Sequence, residues 1–309
     1  MSLHNTTLPA FEPDLFNTEA YARLHASRFF GSEVRSEYFR AGHNMPTGVF
    51  HAMQVLPGLF ISPGRGPYGG FDISSELDEA ELAVFIAKTE ARLRQCGAHR
   101  VELVLPPFCY APHRGPRTLA LLCRLGYCVI RQELNQALNV GEKCFAVQGN
   151  YANRKRLNKA NRAGILVRRL NGEECREGYE AIHENRIKKD RSLSMSWQDV
   201  QQMQAAFPDR VFHFGAEQHG RIIAAAICMA VNRRTLYVFA WGERVGAESV
   251  SPVTSIAAHL FEFAQRGGFT LLDLGTSSVD GIVNPGLLRF KESLGATTSL
   301  KLSLGKALA

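Results

Sequence analysis

The sequence predicts an α/β (α+β) chain of two tandem domains, each a mixed, largely antiparallel sheet flanked by helices. Three observations carry that expectation. The chain has 309 residues, 45% hydrophobic and 21% charged, which is ordinary globular composition and enough for two sizeable cores. Helix-period and strand-period apolar patterns alternate along it. One order of elements, ending in proline, helix, Leu-Gly and strand, occurs once in each half. The domains are expected at residues 1–146, a degenerate copy, and 147–309, the copy that carries the chemistry.

Taken in order, strand patterns cover Val49 to Gln54 and Gly58 to Ser62, and the loop "SPGRGPYGGFD" follows. "ELDEAELAVFIAKTEARLRQCG" reads as a helix with Leu82, Phe85, Ile86 and Leu93 on one face and Gly97 as its stop. "HRVELVLPP" is a strand, "PRTLALLCRLG" a helix with proline in its first turn, and "YCVIRQELNQAL" a strand. The second half opens near Val147 with the basic helix "GNYANRKRLNKANRAG" and the strand "ILVRRL". Helices follow from about Glu173 to Asp190 and from Trp197 to Phe207. "RVFHFGAE", "RIIAAAICMAV" and "TLYVFAWGE" are joined by the tight links "QHG" and "NRR", an antiparallel meander. A helix at Pro252–Arg266, a strand at Phe269–Leu274, the helix of "NPGLLRFKESLG" and a strand at Thr297–Leu304 complete the chain.

The two halves end alike. Pro116 and Gly126 are as far apart as Pro285 and Gly295, and Gly97 and Glu102 as Gly268 and Asp273. In this register Lys291 stands opposite Leu122 and Phe290 opposite Leu121. On a helical wheel Leu287, Leu288, Phe290 and Leu294 form one apolar arc, and Lys291 falls inside it. The first copy therefore keeps an apolar residue where the second has an ammonium.

Seven scattered cysteines without a C-x-x-C pair point to a reduced, cytoplasmic compartment and to neither a disulfide framework nor a metal site. The N-terminus lacks the pattern of a secretory signal, and the longest apolar run, Ile222 to Val231, is too short for a transmembrane segment. A formal charge of +7 favours an anionic partner such as a nucleotide, a phosphorylated sugar or RNA, and leaves a non-catalytic basic binding module for RNA or an acidic polymer as the alternative to an enzyme.

"VSPVTSIAAHLFEFAQRGGFTLLDLGTSS" followed by "NPGLLRFKESLGA" resembles the C-terminal part of Fem-type transferases and their bacterial relatives with tandem GNAT domains. "YANRKRLNKANRAGILVRRL" is similar to the helix and strand that open the second domain in that group. The resemblance covers residues from about Asn150 onward. It implies two tandem GNAT-like domains and a transferase that moves an acyl or aminoacyl group from an activated carrier to an amine or hydroxyl. No tightly bound cofactor is implied; acyl-CoA or aminoacyl-tRNA is a co-substrate, and the acceptor is a small or carrier-linked molecule, nucleotide- or lipid-linked. The chain is shorter than the Fem enzymes proper and shows no long helical-hairpin insertion, which favours a thioester donor over tRNA. It also lacks a regular Q/R-x-x-G-x-G/A loop; "ERVGAESVSPV" is a distorted form.

Acyl transfer needs a deprotonated nucleophile, a polarised carbonyl and a stabilised oxyanion. Arg244, Gly246, Ser251 and Val253 are candidates for holding the donor, with Ser251 expected to cap the following helix and Pro252 to fill its first turn. Lys291 and Asp273 are candidate catalytic residues. Three alternatives stay open for them: a structural ion pair, a cleft-facing lysine held by the aspartate, or a lysine snorkelling to the helix edge. Glu184, with neighbouring His183, is a candidate general base. Tyr68, Tyr237, Trp241, Ser277, Arg289, Arg156 and Lys159 are candidates for substrate contact. For the basic run from Arg154 to Arg169, a solvated face and a phosphate-binding rim both remain open.

Overall fold

The computed structural model describes residues 9, 11–26, 33–40, 42 and 45–308. The chain divides into two compact units, Met1–Glu133 with Leu300–Ala309, and Leu134–Ser299. The contact-defined boundary thus falls at 133/134 rather than 146/147, and the last strand joins the first unit.

The first unit contains α1 (Glu19–Leu24), β1 (Val34–Phe39), β2 (Gly48–Leu56), β3 (Leu59–Ser62), β4 (Asp72–Ile73), α2 (Glu79–Gln95), β5 (Arg100–Val104) and α3 (Arg114–Arg124). The chain leaves it within β6 (Cys128–Asn139). The second unit contains α4 (Phe145–Gln148), α5 (Tyr151–Arg162), β7 (Leu166–Arg169), α6 (Glu174–Lys188), α7 (Trp197–Ala206), β8 (Val211–Gln218), β9 (Arg221–Ala230) and β10 (Thr235–Glu243). It continues with α8 (Pro252–Arg266), β11 (Leu271–Thr276), β12 (Ser278–Val279), β13 (Ile282–Val283) and α9 (Pro285–Ser293). The chain returns to the first unit within β14 (Thr297–Ala307).

Each unit holds a mixed sheet with one parallel pair among antiparallel ones. In the first, β1-β2-β3-β5-β14 is antiparallel except between β3 and β5. In the second, β6-β11-β10-β9-β8-β7 is antiparallel except between β11 and β10. The duplicated order is therefore present in both: α2, β5, α3 and β6 match α8, β11, α9 and β14. The strands that end the two copies change places, since β14 pairs with β5 at Ser303–Ala307 and β6 pairs with β11 at Asn135–Asn139.

Local chemistry explains the elements. Asp78 and Glu81 form a capping box at the start of α2, and Leu82, Phe85, Ile86 and Leu93 turn one face into the core with Phe60, Val101 and Leu103. Helix α8 buries Ile256, Ala257, Leu260, Phe261 and Ala264 against the second sheet. The link between β8 and β9 is a two-residue turn in which His219 and Gly220 are both left-handed, at φ 52 and 75. Strand β1 and the β12–β13 hairpin are elements the apolar patterning does not reveal.

Candidate functional site

The site begins where two parallel strands part. β10 and β11 pair only from Thr235 to Tyr237 and from Leu271 to Asp273. Above that level β10 follows β9 through a bulge between Val238 and Ala240, and β11 has its own irregularity between Asp273 and Thr276. A cavity of about 740 Å³ opens there, lined on its walls by Phe239, Trp241, Leu274 and Phe290. All of its lining lies in the second unit.

Lys291 stands in that lining. Asn284 caps α9 by accepting from Leu287 N–H at 3.1 Å, and Pro285 sets the first turn. That start fixes the helix rotation and turns Lys291 inward to 1% exposure, as Leu122 is turned inward in the first unit. A snorkelling lysine is thereby excluded. Nζ donates to the carbonyls of Gly275 and Thr276, each at 2.8 Å, just beyond the last β10–β11 pair. An ammonium has three N–H donors, so one remains for the cavity. Burial pulls its pKa down to about 7; the Asp273 carboxylate opposes this and the Arg186 guanidinium adds to it.

Asp273 is also 1% exposed. Its Oδ1 accepts from Asn135 Nδ2 and from Gly275 N–H, both at 2.8 Å. It acts on Lys291 through its charge, while carbonyls make the lysine's hydrogen bonds. Ser277 donates from Oγ to Gln136 Oε1 and from its backbone N–H to Leu134 O at 2.7 Å. Gln136 in turn donates to Leu288 O at 3.3 Å. The base of the cavity is thus cross-tied between β6, the β11 end and α9.

Of the expected contacts, Arg156, Tyr237, Trp241, Ser251, Val253 and Ser277 line the cavity with Lys291. Arg156 donates to Ser293 Oγ at 2.8 Å and lies over the Phe290 ring at 5.9 Å, and Trp241 meets the same ring edge-on. Ser251 does not cap α8 with its side chain; it sits in the left-handed region at φ 58 and its hydroxyl makes no bond to the helix start. Pro252 does occupy the first turn.

The remaining candidates are elsewhere. Tyr68 belongs to the first unit's core, fully buried, donating to Asp14 Oδ2 at 2.7 Å and packed edge-on against Phe16 and Tyr110. Arg289 is exposed and donates to its own helix at Pro285 O, 3.2 Å away. Lys159 is exposed outside the cavity, and His183 stacks on Tyr179 with ring centroids 5.9 Å apart.

Glu184, Arg244 and Gly246 form a closed set outside the cavity. Glu184 accepts from Val245 N–H at 2.9 Å and from Arg244 at 3.2 Å. Arg244 also donates to Ile222 O at 2.9 Å and to Glu177 O at 3.5 Å. Gly246 N–H goes to Glu248 at 2.9 Å. The amides of residues 245 and 246 are therefore occupied by the chain's own carboxylates, whereas Ser251 and Val253, at the start of α8, line the cavity.

Several cavity-lining residues escape the sequence reading. Arg186, Lys189 and Arg191 line the cavity, which with Arg156 and Lys291 makes five basic side chains against Glu243 and Glu248. The signal was a short basic run, "NRIKKDR", at the end of a helix. Nothing in it says that the chain curls back there.

No protein-family model and no curated protein matches the chain. Solved structures do. FemX is similar at a TM-score of 0.75 and 13% identity, over 95% of this chain and 92% of that one. L-PGS from Bacillus licheniformis is similar at 0.62 and 12%, over 96% and 93%. A tandem GNAT protein from the clavulanic acid biosynthesis pathway, determined without AcCoA, is similar at 0.55 and 10%, over 94% and 88%. The chain has the Fem-type, tandem GNAT-like fold. At these identities it is the fold that is shared.

Proposed function

We propose that the protein is an acyltransferase that moves an acyl group from an activated carrier to an amine or hydroxyl of a cell-envelope or polysaccharide precursor. The observation that supports this most is Lys291: an ammonium buried at the floor of an open cavity, held by two carbonyls, with a third N–H to give. In the reaction the acceptor's nitrogen or oxygen adds to the donor carbonyl carbon. The oxyanion that develops meets the free N–H of Lys291, the bond to the carrier's sulfur or oxygen breaks as the tetrahedral centre collapses, and the proton lost by the acceptor ends on that departing sulfur or oxygen. A preorganised donor in a partly dry site is worth more there than in water. Phosphates of either substrate meet the basic wall of Arg186, Lys189 and Arg191.

A coenzyme A thioester is the donor favoured here, because among the described residues no long helical hairpin is inserted between the elements of either unit. A second reading, aminoacyl-tRNA, is favoured by one observation: Glu184 and Glu248 occupy the amides of residues 245 and 246 in the loop that is only a distorted form of the Q/R-x-x-G-x-G/A pattern. Thermal shift with an acyl-CoA beside an aminoacylated tRNA minihelix separates the two donors. Lys291→Met is expected to lower kcat/KM for the donor that binds by about 10²–10³-fold. If neither donor raises the Tm, or Lys291→Met transfers acyl groups at the wild-type rate, the proposal fails.

A further inference from the structure

The β12–β13 hairpin is the smallest element of the second unit, and it carries apolar residues on the wrong side. Ser278 pairs with Val283 and Val279 with Ile282 across a two-residue turn. Asp280 and Gly281 are both left-handed, at φ 52 and 78, as a type I′ turn requires. Because successive side chains on a strand alternate between faces, the hairpin has an inner and an outer side. Ser278 fixes the inner one: it is 4% exposed and its Oγ accepts from Leu134 N–H at 2.8 Å. Val279 and Ile282 share the outer side, 58% and 76% exposed. So short a ribbon is not stable by itself, and its outer pair adds nothing to the core.

Val279 lines the same cavity as Arg186, Lys189 and Arg191. Those three are brought onto one turn by the way α6 ends. Arg191 N–H donates to Arg186 O and Asp190 N–H to Ile187 O, both at 2.9 Å, a Schellman ending in which the left-handed position is taken by Asp190 at φ 51. The lining carboxylates are engaged: Glu243 accepts from Asn185 at 3.2 Å and lies 4.0 Å from Lys189, and Glu248 pairs with Lys188 at 2.5 Å. Among the described residues this leaves Arg186 and Arg191 without an acid, and Arg186 Nε is buried with no hydrogen-bond partner. The cavity therefore has an aliphatic lip and a cationic wall.

We propose that this face of the second unit docks on the surface of an anionic lipid bilayer. Val279 and Ile282 enter the boundary between acyl chains and headgroups, while Lys189 and Arg191 meet phosphates. Charge complementarity selects this occupant: the wall is cationic, and the outer pair of the lip is aliphatic, which suits the boundary between anionic headgroups and hydrocarbon. Among the described residues no helix is long and apolar enough to cross a membrane.

Co-sedimentation of the full chain with vesicles tests the proposal. Binding to phosphatidylcholine containing roughly one-third phosphatidylglycerol should exceed binding to phosphatidylcholine alone by about tenfold and fall with added salt. Ile282→Glu should abolish that difference while leaving the Tm unchanged, since the side chain is exposed. Equal binding to both vesicles, undiminished binding by Ile282→Glu, or preference for RNA over anionic vesicles overturns the proposal. Acyl transfer to a water-soluble amine keeps the two readings apart. Ile282→Glu should retain it, and its absence in the wild type would sink the transferase reading without touching the vesicle result.

Discussion

At the scale of single residues, Lys291 and Leu122 occupy matching places on matching helices, and both are buried. Replacing leucine by an ammonium in such a place costs stability, because burial disfavours the charged form. The folded pKa, about 7, lies below the ordinary lysine value of 10.5. Between those values the unfolded chain binds more protons than the folded one, so stability contributed by Lys291 rises with pH and is lost as pH falls toward 7. The unfolding free energy of wild type measured against Lys291→Met by urea denaturation should climb from pH 7 to pH 10, by at most about 1.4 kcal/mol per pH unit. A flat difference would show that the lysine is not charged in the unfolded reference or not buried in the folded one. In the proposed reaction the ammonium is the working form, so kcat/KM should decline as pH rises through about 7. Asp273→Asn keeps an acceptor for Asn135 and Gly275 but removes the charge that supports the ammonium. The declining limb should therefore move to lower pH.

At the scale of elements, α9 is positioned by its two ends. Asn284 and Pro285 start it, and Gly295 ends it at φ 95 with the carbonyl of Gln148 against its α-carbon. A β-carbon there would lie 2.4 Å from Gln148 O, a backbone atom that cannot swing aside. Gly295→Ala combines that clash with a strained left-handed residue and is expected to cost more than about 2 kcal/mol, read by urea denaturation. Gly126 ends α3 in the same conformation but meets only the flexible side chain of Lys306, at 3.7 Å. Gly126→Ala should therefore cost less, on the order of 1 kcal/mol. Equal costs would mean that the contact with Gln148 is not what holds the end of α9.

For the molecule as a whole, the exchange of terminal strands makes the chain's last residues part of its first unit. Leu302, Leu304 and Leu308 are buried there, and β14 covers β5 from Ser303 to Ala307. Deleting residues 300–309 should expose β5 and loosen the first unit, making residues 45–133 sensitive to limited proteolysis. Residues 134–299, which include the whole cavity lining, should keep their protection. Early cleavage within 134–299 would show that the second unit depends on the deleted strand.

Much of this was legible in the sequence because it depends on local periodicity and punctuation. Helix α8 falls on Pro252–Arg266 as expected, the meander of β8, β9 and β10 follows its two tight links, and the inward place of Lys291 follows from comparison with Leu122. The hairpin was missed: Asp280-Gly281 between apolar residues is a type I′ turn signal, but so short a ribbon leaves almost no alternation to read. Other readings failed where a side chain's partner comes from far along the chain. Tyr68 finds Asp14 and Glu184 finds Val245, and neither pairing leaves a mark at its own position.

The sequence by itself determined the two copies, the order of their elements and the one position where a charge replaces an apolar residue. All of these are properties of spacing along the chain, and the physics behind them is helical and strand periodicity. Only the tertiary structure decided what that charge does. The parting of β10 from β11 makes a cavity, the carbonyls of Gly275 and Thr276 hold Nζ at its floor, and the turn at Asp190 brings Arg186 and Arg191 to its wall. Each of these depends on where strands stop pairing and where a helix reverses, and those points are set by packing between distant segments.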